Sequence, residues 1–196
     1  MHIVIHITLL SFLYINFSSC THSSKTSASI SIRPEKDTDY LKVLEKYTFK
    51  KNIYKNFETK FTVSVSMLTS ELRRSIVNRH ETIMGPGQNN LAEFSNQTGF
   101  FVSLYSPSAE NQDLDDTNFW DISLNKDGET YKPVVVKSLT PKKKWQLFFP
   151  DVTNWSKEYL VVFDVPTTIG SDHKMLATEK LSLNLNNIDA KLTITY

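Results

Sequence analysis

A single cysteine, five glycines and a net charge of +1 are the scarcities of this 196-residue sequence, and each excludes something. One thiol cannot close a disulfide within the chain, so packing alone holds the folded part. The few glycines form neither a phosphate-cradling loop nor a Gly-x-Ser-x-Gly nucleophile elbow. The near-neutral charge removes any dominant electrostatic attraction to nucleic acid or to an anionic surface. The apolar run from Ile3 to Phe17 is too short to span a bilayer comfortably as a permanent helix.

Histidine is equally uninformative as a ligand. His80-Glu81 resembles the start of a zinc-protease helix, but Met84 stands where the second histidine must be four residues on. His80 therefore reads as a surface residue, and His22 and His173 offer no cluster. A nucleophile and base pair would have to be a serine with His80 or His173, and carboxylates such as Asp115 and Asp116 have no supporting context. The expectation is a protein that is not an enzyme and uses no cofactor.

What is present at the N-terminus is more specific. The run Ile3 to Phe17 suits the core of a secretory signal, and Asn16-Phe17-Ser18-Ser19-Cys20 closes it with small residues and the lone thiol. This arrangement resembles the lipobox of bacterial lipoproteins. The resemblance covers about the first twenty residues and implies that residues 1–19 are a signal peptide removed just before Cys20. It further implies that the Cys20 sulfur carries diacylglycerol and that its new amino group is acylated, as by palmitate. An ordinary cleaved leader with an incidental cysteine, or an uncleaved anchor, is the alternative. The body, with Phe100-Phe101-Val102, Trp120, Phe148-Phe149-Pro150, Trp155 and Tyr159 to Phe163, loosely resembles uncharacterised bacterial lipoproteins, which implies no activity.

Residues 20–38 are rich in Ser and Thr and read as a flexible tether that would hold the folded part about 20 to 25 Å from the lipid. Residues 39–196 then form one domain. Tyr40, Leu41, Val43, Leu44 and Tyr47 fall at helical spacing, and Asp37, Thr38 or Asp39 can cap that helix. Lys46, Lys50, Lys51, Lys55 and Lys60 next interleave with Tyr47, Phe49, Tyr54, Phe57 and Phe61, an array read as lysines in solvent and aromatics in the core, with lipid headgroups as the other use. Phe57, Thr59, Phe61, Val63 and Val65 alternate with polar residues, predicting a strand with one buried face. Thr69 or Ser70 caps a helix over 71–84 with Leu72, Ile76, Ile83 and Val77 on its apolar side, stopped by Gly85-Pro86-Gly87. A short helix is expected near Asn90 to Phe94.

Strands follow at Gly99 to Tyr105, covered on both faces, and at Trp120 to Leu124, with an Asp127-Gly128 turn into Tyr131 to Lys137. Pro133 marks that returning strand as a sheet edge or bulge. Tyr159 to Val165 and Leu181 to Leu185 alternate, and an Asn186-Asn187 turn leads into Leu192, Ile194 and Tyr196. About seven antiparallel strands and one or two short helices predict a mainly β protein, an immunoglobulin-like sandwich.

Three local features could bind something. Glu110, Asp113, Asp115 and Asp116 offer oxygen ligands, which makes Asp113, Asp115 and Asp116 weak calcium candidates without the spacing of a known loop. Lys142, Lys143, Lys144 and Trp145 could meet a membrane surface. Phe148-Phe149-Pro150 and Trp155 could form an aromatic patch. The expected function is a lipid-anchored, non-enzymatic binding or assembly module of the cell envelope, on the outer membrane or cell surface rather than the inner membrane, with a protein partner and no nucleic acid. A lipid- or ion-responsive sensor is the alternative, and a hydrolase comes third.

Overall fold

The computed structural model describes residues 33–85, 97–166 and 180–196. Residues 1–19, Cys20, most of the tether, Pro86-Gly87, the helix expected near Asn90 to Phe94, His22 and His173 lie outside the described residues.

After a 3-10 turn at Pro34–Lys36, helix α1 (Thr38–Lys46) begins where Asp37 Oδ1 accepts the Tyr40 amide at 3.1 Å. That bond satisfies one of the amides a helix start leaves open. Tyr40 and Leu44 are its buried positions, one turn apart. Strands β1 (Thr48–Lys55) and β2 (Glu58–Met67) then form a hairpin. Helix α2 (Ser70–Met84) starts with Thr69 Oγ1 accepting the Leu72 amide at 3.2 Å and stops at Gly85, whose φ of 81° favours glycine.

Next come β3 (Gln97–Tyr105), β4 (Asp121–Lys126), β5 (Glu129–Tyr131) and β6 (Val135–Ser138). Helix α3 (Lys142–Trp145) precedes β7 (Lys157–Pro166), and β8 (Leu181–Asn186) and β9 (Lys191–Thr195) complete the series. All strand pairs are antiparallel, in a five-stranded sheet of order β1-β2-β3-β7-β6 and a four-stranded sheet of order β5-β4-β8-β9.

The fold is mainly β, but with nine strands and three α-helices among the described residues rather than about seven strands and one or two short helices. Two features account for the extra strands. The lysine-rich stretch after α1 is itself β1. The returning strand expected at Tyr131 to Lys137 is two strands, because the chain leaves the four-stranded sheet after Tyr131 and enters the five-stranded one at Val135. Pro133 lies in that crossing, where no ladder amide is required.

The two sheets share one buried cluster, with Phe61, Val63, Val65, Phe100, Val102 and Val161 from one side and Ile122, Leu124, Leu183, Leu185, Leu192 and Ile194 from the other. A second cluster lies on the other face of the five-stranded sheet, where Phe101, Leu160 and Val162 meet Leu44, Leu72, Ile76, Trp145 and Phe148. Strands β2, β3 and β7 are thus buried on both faces. Gly99 to Tyr105 behaves as expected, whereas β2 hides Ser64 and Ser66 as well as its apolar side, and Phe57 is left in solvent.

Candidate functional site

The helices leave one part of the outer face of the five-stranded sheet open, and the strand register sets a polar row there. Lys50 of β1 lies opposite Ser64 of β2, Ser64 opposite Ser103 of β3, and Ser103 opposite Glu158 of β7. Directly opposed residues share a face, so the four side chains run across four adjacent strands. Asp151, from the segment joining α3 to β7, closes over the row. Its Oδ1 lies 2.7 Å from Lys50 Nζ, its Oδ2 accepts the Ser64 hydroxyl at 2.8 Å, and its carbonyl lies 3.5 Å from Ser103 Oγ. The result is a cleft of about 400 Å³ in which Asn52, Thr62, Tyr105 and Thr153 join these groups.

The wall beyond Asp151 is tied down by short bonds. Ser156 Oγ donates to Glu158 Oε1 at 2.6 Å and accepts the Thr153 amide at 2.9 Å, while Thr153 Oγ1 accepts the Ser156 amide at 3.1 Å. Lys142 Nζ donates to the Asn154 carbonyl at 3.0 Å and to the Ser156 carbonyl. Glu158 is 2% exposed, and burial pushes its carboxyl above the usual range against the opposing pull of Ser156 and Lys142.

The Ser64 hydroxyl donates to a carboxylate that also pairs with Lys50, and among the described residues no histidine lines the cleft. Its hydroxyls, amide side chain and charged pair suit polar side chains or backbone groups of a bound segment.

Other residues singled out in the sequence are dispersed. Trp145 is 6% exposed, packed against Phe101 with ring centroids 5.8 Å apart, so it faces the core rather than a headgroup layer. Lys142 braces the loop just described, Lys144 lies 5.5 Å over the Trp145 ring, and Lys143 is exposed. Asp113 accepts the Tyr159 hydroxyl at 3.1 Å and lies 3.8 Å from Lys157. A hydrogen bond shared with Asp115 holds the Asp113 carboxyl low and Asp115 high. Asp116 Oδ1 instead accepts the Asn118 amide at 3.0 Å, and among the described residues no three His, Cys, Asp or Glu side chains group as a metal site.

Phe148 and Phe149 are buried, the latter stacked on Phe101 at 3.6 Å, whereas Trp155 is 77% exposed. His80 is not a surface residue. Its ring lies half-buried and stacked on Phe148, because α2 turns that position toward the segment after α3.

Sequence reasoning missed Lys50, Ser64, Ser103, Asp151, Ser156 and Glu158 as a group. One signal was available, a glutamate at the head of Tyr159-Leu160-Val161-Val162-Phe163, since a charge entering such an apolar run needs a partner. Among the described residues no helix is long and apolar enough to cross a membrane. No protein-family model, curated protein or solved structure matches the chain.

Proposed function

We propose that this chain is a lipid-anchored protein of the bacterial cell envelope whose folded part is an immunoglobulin-like sandwich serving as a non-enzymatic binding or assembly module. The lipobox-like Asn16 to Cys20 supports the anchor, on the outer membrane or cell surface. The observation that carries the binding role is the eight-residue edge strand β1 running beside an open polar cleft. An extended segment of a partner protein adds to that edge by backbone hydrogen bonds and places a polar side chain among Lys50, Ser64 and Asp151. Lys50, Lys51 and Lys55 along this edge oppose indiscriminate strand pairing. Tethering through Cys20 confines the module to a thin layer, in which weak contacts suffice.

Two measurements test this reading. Mass spectrometry of the N-terminal peptide from the native host finds a diacylglyceryl Cys20 as the first residue. An unmodified thiol, or a chain that keeps residues 1–19, removes the anchor. A photo-crosslinker at Asn52 captures one envelope protein, and capture is lost with Asp151→Ala. Equal capture from a position on β5, at the edge of the other sheet, would overturn the assignment to β1.

A further inference from the structure

The tip of the β1–β2 hairpin is built against local preference. Lys55 and Glu58 are paired across a two-residue turn in which Asn56 has φ 53° and Phe57 has φ 64°. Such a turn calls for glycine at its second position, because a Cβ crowds the backbone there. The turn between β4 and β5 follows that rule, with Asp127 at φ 52° and Gly128 at φ 89°. Phe57 breaks it, and its side chain is fully exposed at 106% of the reference area. It fills no core and relieves no strain, so what it contributes lies outside the folded chain.

Other apolar groups gather at the same end of the sheets. Tyr54 is 62% exposed beside the turn. Lys55 Nζ lies 2.6 Å from Asp189 Oδ1, which fastens the hairpin to the β8–β9 turn, where Ile188 is 86% exposed. Trp155 lies in the loop entering β7, whose first residue Lys157 pairs with Leu104 near the end of β3. Four of the six large apolar side chains exposed among the described residues therefore belong to this end.

We infer that this end contacts a lipid bilayer directly, with Phe57 and Ile188 entering the interfacial region and Tyr54 and Trp155 lying at headgroup level. The hollow between the loops is polar, lined by Glu58, Lys60, Ser108, Asn111 and Asp189, and the apolar groups stand apart from it. Separate projecting tips suit a deformable lipid surface better than a shaped protein groove, and Tyr and Trp have the amphipathic rings found at membrane interfaces. Charge does not drive the contact. Lys60 and Lys55 are paired with Glu58 and Asp189, and Glu110, Asp115 and Asp116 are exposed in the neighbouring loop. Insertion is thus apolar, and it depends little on salt or on anionic lipid. It stands whether or not Cys20 carries a lipid.

The lone cysteine makes the test clean. The full chain with Cys20→Ser and Phe57→Cys carries one thiol, to which an environment-sensitive fluorophore is attached. With phosphatidylcholine vesicles the emission shifts to the blue, and it is quenched when the acyl chains carry bromine. High salt leaves both effects in place, and the same label at Thr130→Cys, on β5, shows neither. Because the reading is local, attachment of the chain through its apolar N-terminal run does not imitate it. A label at position 57 that keeps its aqueous emission while the chain sediments with vesicles overturns the inference. Shielding of that label by an envelope protein but not by vesicles also overturns it, and assigns the tip to that protein.

Discussion

Arg79 holds together three parts of the helix layer. Its side chain is 3% exposed, its Nη1 lies 2.8 Å from Asp37 Oδ2, its Nε donates to the Leu147 carbonyl at 2.8 Å, and its guanidinium sits 5.1 Å from the Tyr40 ring. Removing it deprives the half-buried Leu147 carbonyl and the Asp37 carboxylate of this partner and opens a gap beside the ring. Arg79→Ala should therefore cost about 3 kcal/mol in urea unfolding, and Arg79→Lys should recover little, since an ammonium cannot make the fork. Asp37→Asn should cost about 1 kcal/mol, because that carboxylate is 37% exposed and partly solvated already. Glu158 behaves in the opposite sense. Burial raises its folded-state pKa above the unfolded value, so the native state holds the proton longer, and stability falls as pH rises from the ordinary carboxylate range through the raised one. Glu158→Gln should then raise the urea midpoint at pH 7 and leave it unchanged at pH 4. A loss at pH 7 would mean that the charged carboxylate is needed by Ser156 and Lys142.

At the scale of elements, the β1–β2 turn separates stability from use. Phe57→Gly removes a Cβ from a left-handed position and no buried contact, so it should stabilise the protein by about 1 kcal/mol in urea melts. A destabilised variant would reveal a folded-state contact for that ring. Thr69→Ala, which removes the α2 cap, should cost about 1 kcal/mol. Both caps and the turn at Asp127-Gly128 were legible because their chemistry is local. So were β3, β8 and β9, whose apolar patterns state their burial directly. Strand β1 was not legible, because Lys50, Lys51 and Lys55 break its alternation as an edge strand allows. The burial of Arg73 and Arg79 was not legible either, since the Gln97 and Leu147 carbonyls that accept from these guanidinium groups are distant in sequence. The polar row was beyond reach for the same reason. Lys50, Ser64, Ser103 and Glu158 come from four strands, and only their register makes them neighbours.

For the molecule as a whole, the decisive feature is that β3 and β7 contribute to both buried clusters, with Val102 and Val161 on one face and Phe101, Leu160 and Val162 on the other. Neither the helices nor the four-stranded sheet can release their apolar faces without exposing a wall of the same central strands. The two layers should therefore melt together. Leu183 and Leu72, each 0% exposed, sit in the first and second clusters respectively. Leu183→Ala and Leu72→Ala should each cost about 3 kcal/mol, which for a chain of this length lowers Tm by about 6 to 12 °C. In both variants, circular dichroism of the sheets and fluorescence of Trp120 and Trp145, which lie in different clusters, should trace one coincident transition. If Leu72→Ala instead shifted an early fluorescence step while the sheet signal kept its midpoint, the helix layer would be a separately melting cover. The open cleft would then border a movable lid rather than a fixed wall.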